Sequence, residues 1–414
     1  MMKNKIFILD DSKSFSKLLA SRIKNDMGLD CIFAASFAEA KQVVEKERSS
    51  IFLSLVDLNM VDAKEVEHID YMLQQKIPVI VITGELNDEI RNKILEKNII
   101  DYIFKSKKED MDYVIKLLKQ VLRNSETKVV VADDSALFRK LTSDLLKLQM
   151  FQVLEAKNGL DCLNIVEDHP DIKLVLTDYN MKEMDGFELT LRLREKYSKD
   201  ELIIISISGN ETKNISSKFI KIGVNDFITK PFTKEEFACR INMNMDALES
   251  IEKIRDISRR DFLTGLYNRQ FFWEKSKSLL ATGKQTVLAL FIIDHFKKLN
   301  TDHGNEAGDL ILQSLGIIAK SHFEKSHFLF RIEGKKFAVL IQNIQTEEAV
   351  NLFENFCKKV ASLPVNVNGK SIEYTVSVGL SLTQNPDPEF RNKEAEDLLS
   401  GARNSGRNKV TVSQ

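Results

Sequence analysis

The chain has 414 residues, of which 43% are hydrophobic and 29% charged, and a formal net charge of −1. That length suggests about two to four domains, while the composition excludes a large disordered part and the charge gives no global field that would draw the protein to nucleic acid or to a membrane. The four cysteines, Cys31, Cys162, Cys239 and Cys357, lie far apart without a CxxC, the start "MMKNKIFILDDS" has no apolar signal core, and runs such as "IPVIVI" and "TVLALFII" are strand-sized rather than membrane-spanning, so a reduced cytoplasmic location is expected.

In chain order, the first half repeats itself. "IFILDDSKSFSKLL" from Ile6 resembles "VVVADDSALFRKLT" from Val129, "LVDLNM" resembles "LTDYNM", "VIVITGE" resembles "IIISISGN", and "DYIFKS" resembles "DFITKP". Matching residues stand 121 to 125 positions apart, as two copies of one domain with small loop insertions would. In the second copy, strands are expected near "KVVVA", "QVLEA", "IKLVLT", "LIIISI" and "VNDFIT", with amphipathic helical stretches between them. Alternating βα units with near-continuous apolar strands predict an α/β fold with a doubly wound parallel sheet of the flavodoxin-like kind. Ligands of such sheets sit at the carboxyl ends of the strands. The repeated residues fall there: Asp10 and Asp11, or Asp133 and Asp134, after the first strand; Asp57 or Asp178 after the third; Thr83 or Ser208 after the fourth; Lys105 or Lys230 after the fifth.

Three acids gathered at strand ends repel one another unless a cation joins them, and an all-oxygen set suits Mg²⁺. The third-strand aspartate is then placed to act as a nucleophile toward a phosphoryl donor. The lysine can neutralise phosphoryl oxygens, and the strand-four hydroxyl can donate to the same group. With these residues in one order in both copies, each copy resembles a response-regulator receiver domain. The resemblance implies phosphorylation by a histidine kinase or phosphotransfer protein on Asp57 and Asp178, with Tyr102 and Phe227 at the aromatic switch position. The second copy's "TDYNMKEMDGFEL" is close to the family pattern. The first copy's "VDLNMVDAKEVEH" lacks the Asp-Gly turn, and Ser106 stands where the second copy has Pro231.

From Thr233 to Arg260 there is neither glycine nor proline, and Phe237, Ile241, Met245, Leu248, Ile251 and Ile254 recur every three or four residues. This spacing predicts the last helix of the second copy extended into a stalk. Beyond it come "RDFLTGLYNRQFF", "LALFIIDHFKKLNTDHGNEAGDLIL", "FRIEGKKFAVLI", "YTVSVGLSL" and "AEDLLSGARNSGRNKV". Together these resemble the GGDEF domain of diguanylate cyclases, an α+β nucleotide-cyclase-like fold. The expected division is receivers at 1–124 and 125–245, a helical linker at 246–260 and the GGDEF domain at 261–414.

The family holds two Mg²⁺ ions on GTP with a strand aspartate and the acids of the hairpin. Here Ile292 stands at the strand position and Lys335 and Lys336 at the hairpin acids; Asp294 remains. Placing Mg²⁺ beside two ammonium groups is electrostatically unfavourable. The upstream inhibitory RxxD is also absent, with Glu324 and His327 in those places. By the same resemblance Asn300 and Asp309 would recognise guanine, Arg403 and Arg407 would bind phosphates, and Gly334 permits close backbone approach. Two readings stay open for the hairpin: Lys335 and Lys336 pair with the phosphates of a bound GTP, or they form a solvated turn on a domain that takes no nucleotide. The expectation is a response regulator without catalytic residues in its degenerate GGDEF domain, acting through phosphorylation-promoted homodimerisation, a partner or guanine nucleotide. The alternative is an active cyclase that makes cyclic di-GMP from two GTP.

Overall fold

Strands that are apolar along their whole length must be covered on both faces, and a computed structural model of the chain shows that arrangement twice. The structure describes residues 4–84, 93–94, 96–104, 109–209, 221–323 and 327–413 and divides into two units, Met1–Ile251 and Glu252–Gln414. Lys105, Ser106 and Glu324 lie outside the described residues.

In the first unit, β1 (Lys5–Leu9), β2 (Asp30–Ala34), β3 (Ile51–Asp57), β4 (Val79–Thr83) and β5 (Asp101–Phe104) form a parallel sheet in the order β2-β1-β3-β4-β5. Helices α1 (Lys13–Met27), α2 (Phe37–Glu47), α3 (Glu67–Gln74) and α4 (Glu109–Glu126) accompany it. The second copy repeats this order with β6 (Lys128–Ala132), β7 (Gln152–Ala156), β8 (Ile172–Asp178), β9 (Ile203–Gly209) and β10 (Asp226–Lys230), and with α5 (Ala136–Leu148), α6 (Gly159–Asp168), α7 (Gly186–Lys196) and α8 (Lys234–Ser258). The period of two sends Phe7 and Leu9 to one face of the first sheet and Ile6 and Ile8 to the other, all buried. Each such side chain contributes about 1.5–3 kcal/mol.

Local signals set the helix starts. Ser36 accepts from the Glu39 amide at 3.2 Å while Glu39 accepts from the Ala35 amide at 2.8 Å, a reciprocal cap that satisfies two otherwise orphaned donors. Asp185 caps α7 by accepting from the Glu188 amide at 2.8 Å. Along α8, Phe237, Ile241, Met245 and Leu248 pack into the core of the second sheet, whereas Ile254 and Ile257 are exposed.

The second unit is built on a mixed sheet in the order β12-β13-β11-β16-β17, with β11 (Thr286–Ile293), β12 (Phe328–Glu333), β13 (Lys336–Gln342), β16 (Val376–Ser381) and β17 (Val410–Val412). β11 lies antiparallel between β13 and β16, and β17 joins β16 in parallel. A small hairpin of β14 (Val365–Val367) and β15 (Lys370–Ile372) stands apart from this sheet. Its helices are α9 (Arg269–Leu280), α10 (Phe296–His303), α11 (Asn305–His322), α12 (Thr346–Ala361) and α13 (Pro388–Asn404). Val287, Ala289, Phe291 and Ile293 of β11 join the core that holds Ile311 and Phe356, while Leu288, Leu290 and Ile292 join the one that holds Phe272 and Leu399. α13 approaches β16 so closely at Gly379 that a Cβ there would lie 2.2 Å from the Ala395 carbonyl oxygen.

After α8 the chain turns through Asp261–Leu266. The Asp261 carboxylate accepts from the Thr264 amide at 2.9 Å and its hydroxyl at 2.8 Å, and pairs with Arg331 of β12 at 3.0 Å. Arg331 also donates to the Gly334 carbonyl at 2.8 Å, so one guanidinium ties the opening turn to the tip of the hairpin. Burial would raise the Asp261 pKa, but the bonds from Thr264 and Arg331 outweigh it and hold the carboxyl below its ordinary 3.8. A carboxyl depressed in the folded state stabilises above its unfolded pKa, and the contribution fades as pH falls through the folded value. Asp261→Asn is expected to cost the second unit about 2 kcal/mol near neutral pH, with the difference from wild type shrinking below pH 3.8. Urea denaturation followed by fluorescence of the single tryptophan, Trp273 of α9, measures it; an equal loss at pH 7 and pH 3 would contradict the assignment.

Candidate functional site

Each sheet of the first unit gathers its acids at one end. In the first copy, oxygens of Asp10, Asp11 and Asp57 lie within 4.8 Å of one another. Two of these acids are buried and Asp11 is exposed, so hard oxygen ligands with an open side are available, a set that fits a divalent cation. The Ser12 amide orients Asp10 at 2.9 Å and the Asn59 amide meets Asp57 at 3.2 Å. Thr83 is buried at the end of β4. The expected lysine, Lys105, is outside the described residues.

In the second copy the lysine reaches the acids. The Lys230 ammonium sits 2.7 Å from Asp178 and 3.1 Å from Asp133, and Asp134 is exposed beside them. Burial pushes the Asp178 carboxyl above its ordinary value, against the pull of Lys230. Ser208 is buried near the end of β9. The Asp-Gly turn seen in the sequence has a steric reason: a Cβ at Gly186 would lie 2.3 Å from the Asp178 carbonyl oxygen.

The first copy solves the same corner differently, through residues that the sequence reading passed over. The His68 Nε2 lies 2.9 Å from the Asp57 carbonyl oxygen, where its N–H donates. Desolvation lowers the His68 pKa, so the buried ring is neutral and keeps that N–H. Asp62 accepts from the amides of Phe37 and Ala38 at 2.9 and 3.0 Å, capping α2. The only signal in the sequence was an acid in the loop that lacks the Asp-Gly pair and a histidine at the start of the helix after it.

The switch aromatics are both half-buried. The Tyr102 hydroxyl donates to Glu235, the second residue of α8, at 3.3 Å. The same face of the first copy meets the second through Arg123, 2.6 Å from Asp246 and 3.2 Å from Glu249, and through Gln149, which donates to the Ile100 carbonyl at 2.9 Å. Phe227 holds the corresponding place on β10.

In the second unit, the hairpin turn passes through Gly334 at φ +44°. The two lysines beside it part company. Lys336 forms an ion pair with Glu396 of α13 at 2.8 Å, whereas Lys335 lines a cavity of about 580 Å³ with Ile292, Lys297, Arg403 and Arg407. Of the two expected phosphate-pairing lysines, only Lys335 faces that space. Ile292 is buried in an apolar cluster with Phe330 and Leu399. The Asp294 carboxylate accepts from the Ser377 and Thr375 hydroxyls at 2.7 Å each and from the Asn408 amide at 3.2 Å. Asn300 of α10 presses its Oδ1 against Gly308, where a Cβ would lie only 1.9 Å away. That oxygen is buried with no hydrogen-bond partner among the described residues, and Asp309 is exposed on α11.

Comparison with known proteins follows these sites along the chain. The response regulator receiver domain family matches residues 6–123 and 129–242, more than half of the chain, and the diguanylate cyclase GGDEF domain family matches residues 258–409. The response regulator PleD of Caulobacter vibrioides (strain NA1000 / CB15N) is 24% identical over 99% of each chain. Two solved structures described as two-component system response regulator/GGDEF domain proteins are each 34% identical, covering 60% of this chain and 100% of their own, with TM-scores of 0.54 and 0.53. Among the described residues no helix is long and apolar enough to cross a membrane. The chain belongs to the response regulator family, with two receiver domains followed by a GGDEF domain.

Proposed function

We propose that this protein is a response regulator phosphorylated on aspartate, whose GGDEF domain acts by binding and does not cyclise GTP. The observation that carries the second half is the state of Asp294. Two hydroxyls and an amide already occupy its oxygens, and its expected partners in metal binding are Ile292, Lys335 and Lys336. The remaining residues do not fit a pair of divalent cations. An ammonium at the hairpin repels a metal, and a carboxylate engaged by three donors is a poor ligand.

In the first receiver the three clustered acids do fit, and the second carries the same three acids with Lys230 between two of them. Mg²⁺ bound at Asp10, Asp11 and Asp57, or at Asp133, Asp134 and Asp178, would supply charge neutralisation for the incoming phosphoryl oxygens. The chain's own part is the nucleophile and its surroundings. An Asp178 oxygen attacks phosphorus, the phosphorus–nitrogen bond of a phosphohistidine donor breaks, and Lys230 offsets the charge on the transferred group. Thr83 and Ser208 are placed to donate to that group, and Tyr102 and Phe227 to follow the hydroxyl. Leu137, Phe138 and Leu141 are exposed apolar side chains in the first two turns of α5, the helix that follows Asp133 and Asp134. In the first copy the matching residues are Ser14, Phe15 and Leu18. This broader apolar face and the intact Asp-Gly turn support the second copy as the main acceptor for a histidine kinase or phosphotransfer protein.

Exposed Ile254 and Ile257 on α8 support pairing of two copies of the chain, which would bury them. The first copy's Tyr102 touches α8 at Glu235, so a change at its switch position bears on the helix that leads toward the GGDEF domain. The proposed setting is the cytoplasm.

Three outcomes are expected. A small phosphodonor with Mg²⁺ should label the protein with a base-labile phosphate; Asp178→Asn should remove most of the label and Asp57→Asn the rest, and an unlabelled wild type would refute the receiver assignment. Phosphorylated protein given GTP and Mg²⁺ should yield no cyclic di-GMP, with turnover at least about 10⁴-fold below that of a cyclase with acids in those positions. Product that disappears with Asp309→Ala would establish the cyclase reading instead. Light scattering should show the mass doubling when a beryllofluoride mimic binds; a constant mass over a wide concentration range, with the mimic bound, would rule out phosphorylation-promoted dimers.

A further inference from the structure

The acceptor of the first receiver sits where the ladder beside it ends. Pairing of β1 with β3 stops at Leu9 and Val56, one residue before Asp57, and the Asp57 carbonyl oxygen is met instead by the His68 Nε2–H of α3 at 2.9 Å. In the second receiver the Asp178 carbonyl accepts from the Thr177 hydroxyl at 3.0 Å, and the backbone at the start of α7 closes on it at Gly186. The first receiver has neither device. Val56 precedes its acceptor where Thr177 precedes the other, and its loop lacks the Asp-Gly pair.

Stability does not account for this histidine. Its side chain is fully buried, and a neutral imidazole carries one N–H, which the Asp57 carbonyl takes. Nδ1 is left buried without a hydrogen-bond partner among the described residues, a loss that an apolar side chain of similar size would avoid. The second receiver has that apolar choice: Leu189 follows Asp178 by eleven positions, as His68 follows Asp57, and is buried in the core. The ring of His68 is also held firmly. It meets Phe37 of α2 edge-on at 6.2 Å, and Phe37 meets Tyr71 of α3 in the same way at 5.7 Å. Asp62 in turn grips the amides of Phe37 and Ala38. The loop after β3 and the two helices thus fix the imidazole against the end of that strand.

We propose that His68 is a positioning residue for phosphoryl transfer to the first receiver, holding the Asp57 backbone so that its carboxylate faces the phosphorus of a donor. The inference rests on the reading that Asp57 accepts phosphate. Fixing the carbonyl restricts rotation of Asp57 about its own backbone, and with it the direction in which the side chain leaves the strand. That direction has two demands to meet, because the carboxylate belongs to the cluster with Asp10 and Asp11 and must also present an oxygen for attack. With an acyl phosphate as donor, this oxygen bonds to phosphorus while the bond from phosphorus to the acyl oxygen breaks, and a carboxylate leaves with the electron pair. A displacement of about 1 Å in such a geometry can cost about a hundredfold in rate.

Labelling of the full chain carrying Asp178→Asn, by acetyl phosphate with Mg²⁺, isolates the first acceptor. In that background His68→Leu should slow labelling of Asp57 about tenfold, while urea denaturation followed by circular dichroism shows a chain at least as stable as its parent. His68→Gln, whose amide can place an N–H where the Nε2–H lies, should recover most of the rate. Labelling of His68→Leu at the parent's rate, a His68→Gln chain no faster than His68→Leu, or a His68→Leu chain less stable than its parent would overturn the proposal. Fluorine NMR of bound beryllofluoride separates the two readings. A parent with neither label nor bound beryllofluoride defeats the assignment of Asp57 as an acceptor, and this inference with it, whereas a labelled parent that His68→Leu does not slow defeats this inference alone.

Discussion

A carboxylate taken out of water must be compensated, and this requirement governs every site in the protein. The second receiver does it with an ammonium: Lys230 bridges Asp133 and Asp178. The first receiver presents three acids close together, the arrangement that a divalent cation completes. The GGDEF domain does it with neutral donors, because Ser377, Thr375 and the Asn408 amide enclose Asp294. These solutions differ in what they leave free. An ammonium or a metal can be shared with an arriving phosphoryl group, but a closed set of hydroxyl bonds leaves the acid nothing to offer.

The same accounting explains why the two hairpin lysines differ. Lys336 has Glu396 within 2.8 Å, so its charge is cancelled inside the domain. Lys335 has other cations as neighbours, so its charge is available to a ligand. Lys336 opens β13 while Lys335 stands in the turn before it, and one lysine becomes a fastening while the other becomes part of a cavity. Charge reversal at the hairpin thus has two separate consequences.

Connections between parts of the protein also run through paired charges. Arg123 with Asp246 and Glu249 joins the last helix of the first receiver to α8. Arg331 joins the turn after α8 to the hairpin by way of Asp261 and the Gly334 carbonyl. Each guanidinium serves more than one partner, which its planar fork of donors allows and an ammonium would do with less geometric definition.

Much of this was legible in the sequence. The repeat of Asp-Asp, Asp, hydroxyl and lysine, set on alternating apolar and amphipathic stretches, specified two parallel sheets and the ends where their acids gather, because strand and helix periods are local properties. The loss of acids at Ile292, Lys335 and Lys336 was equally plain. Tertiary structure alone supplied the partners. Asp294 is held by residues 81, 83 and 114 positions away, Lys336 by one 60 away, and Asp57 by His68, whose neutral ring depends on its burial. No local pattern announces such bonds. They arise where the sheet brings distant strand ends together, and burial there decides which charges must be cancelled within the protein and which stay open to a ligand.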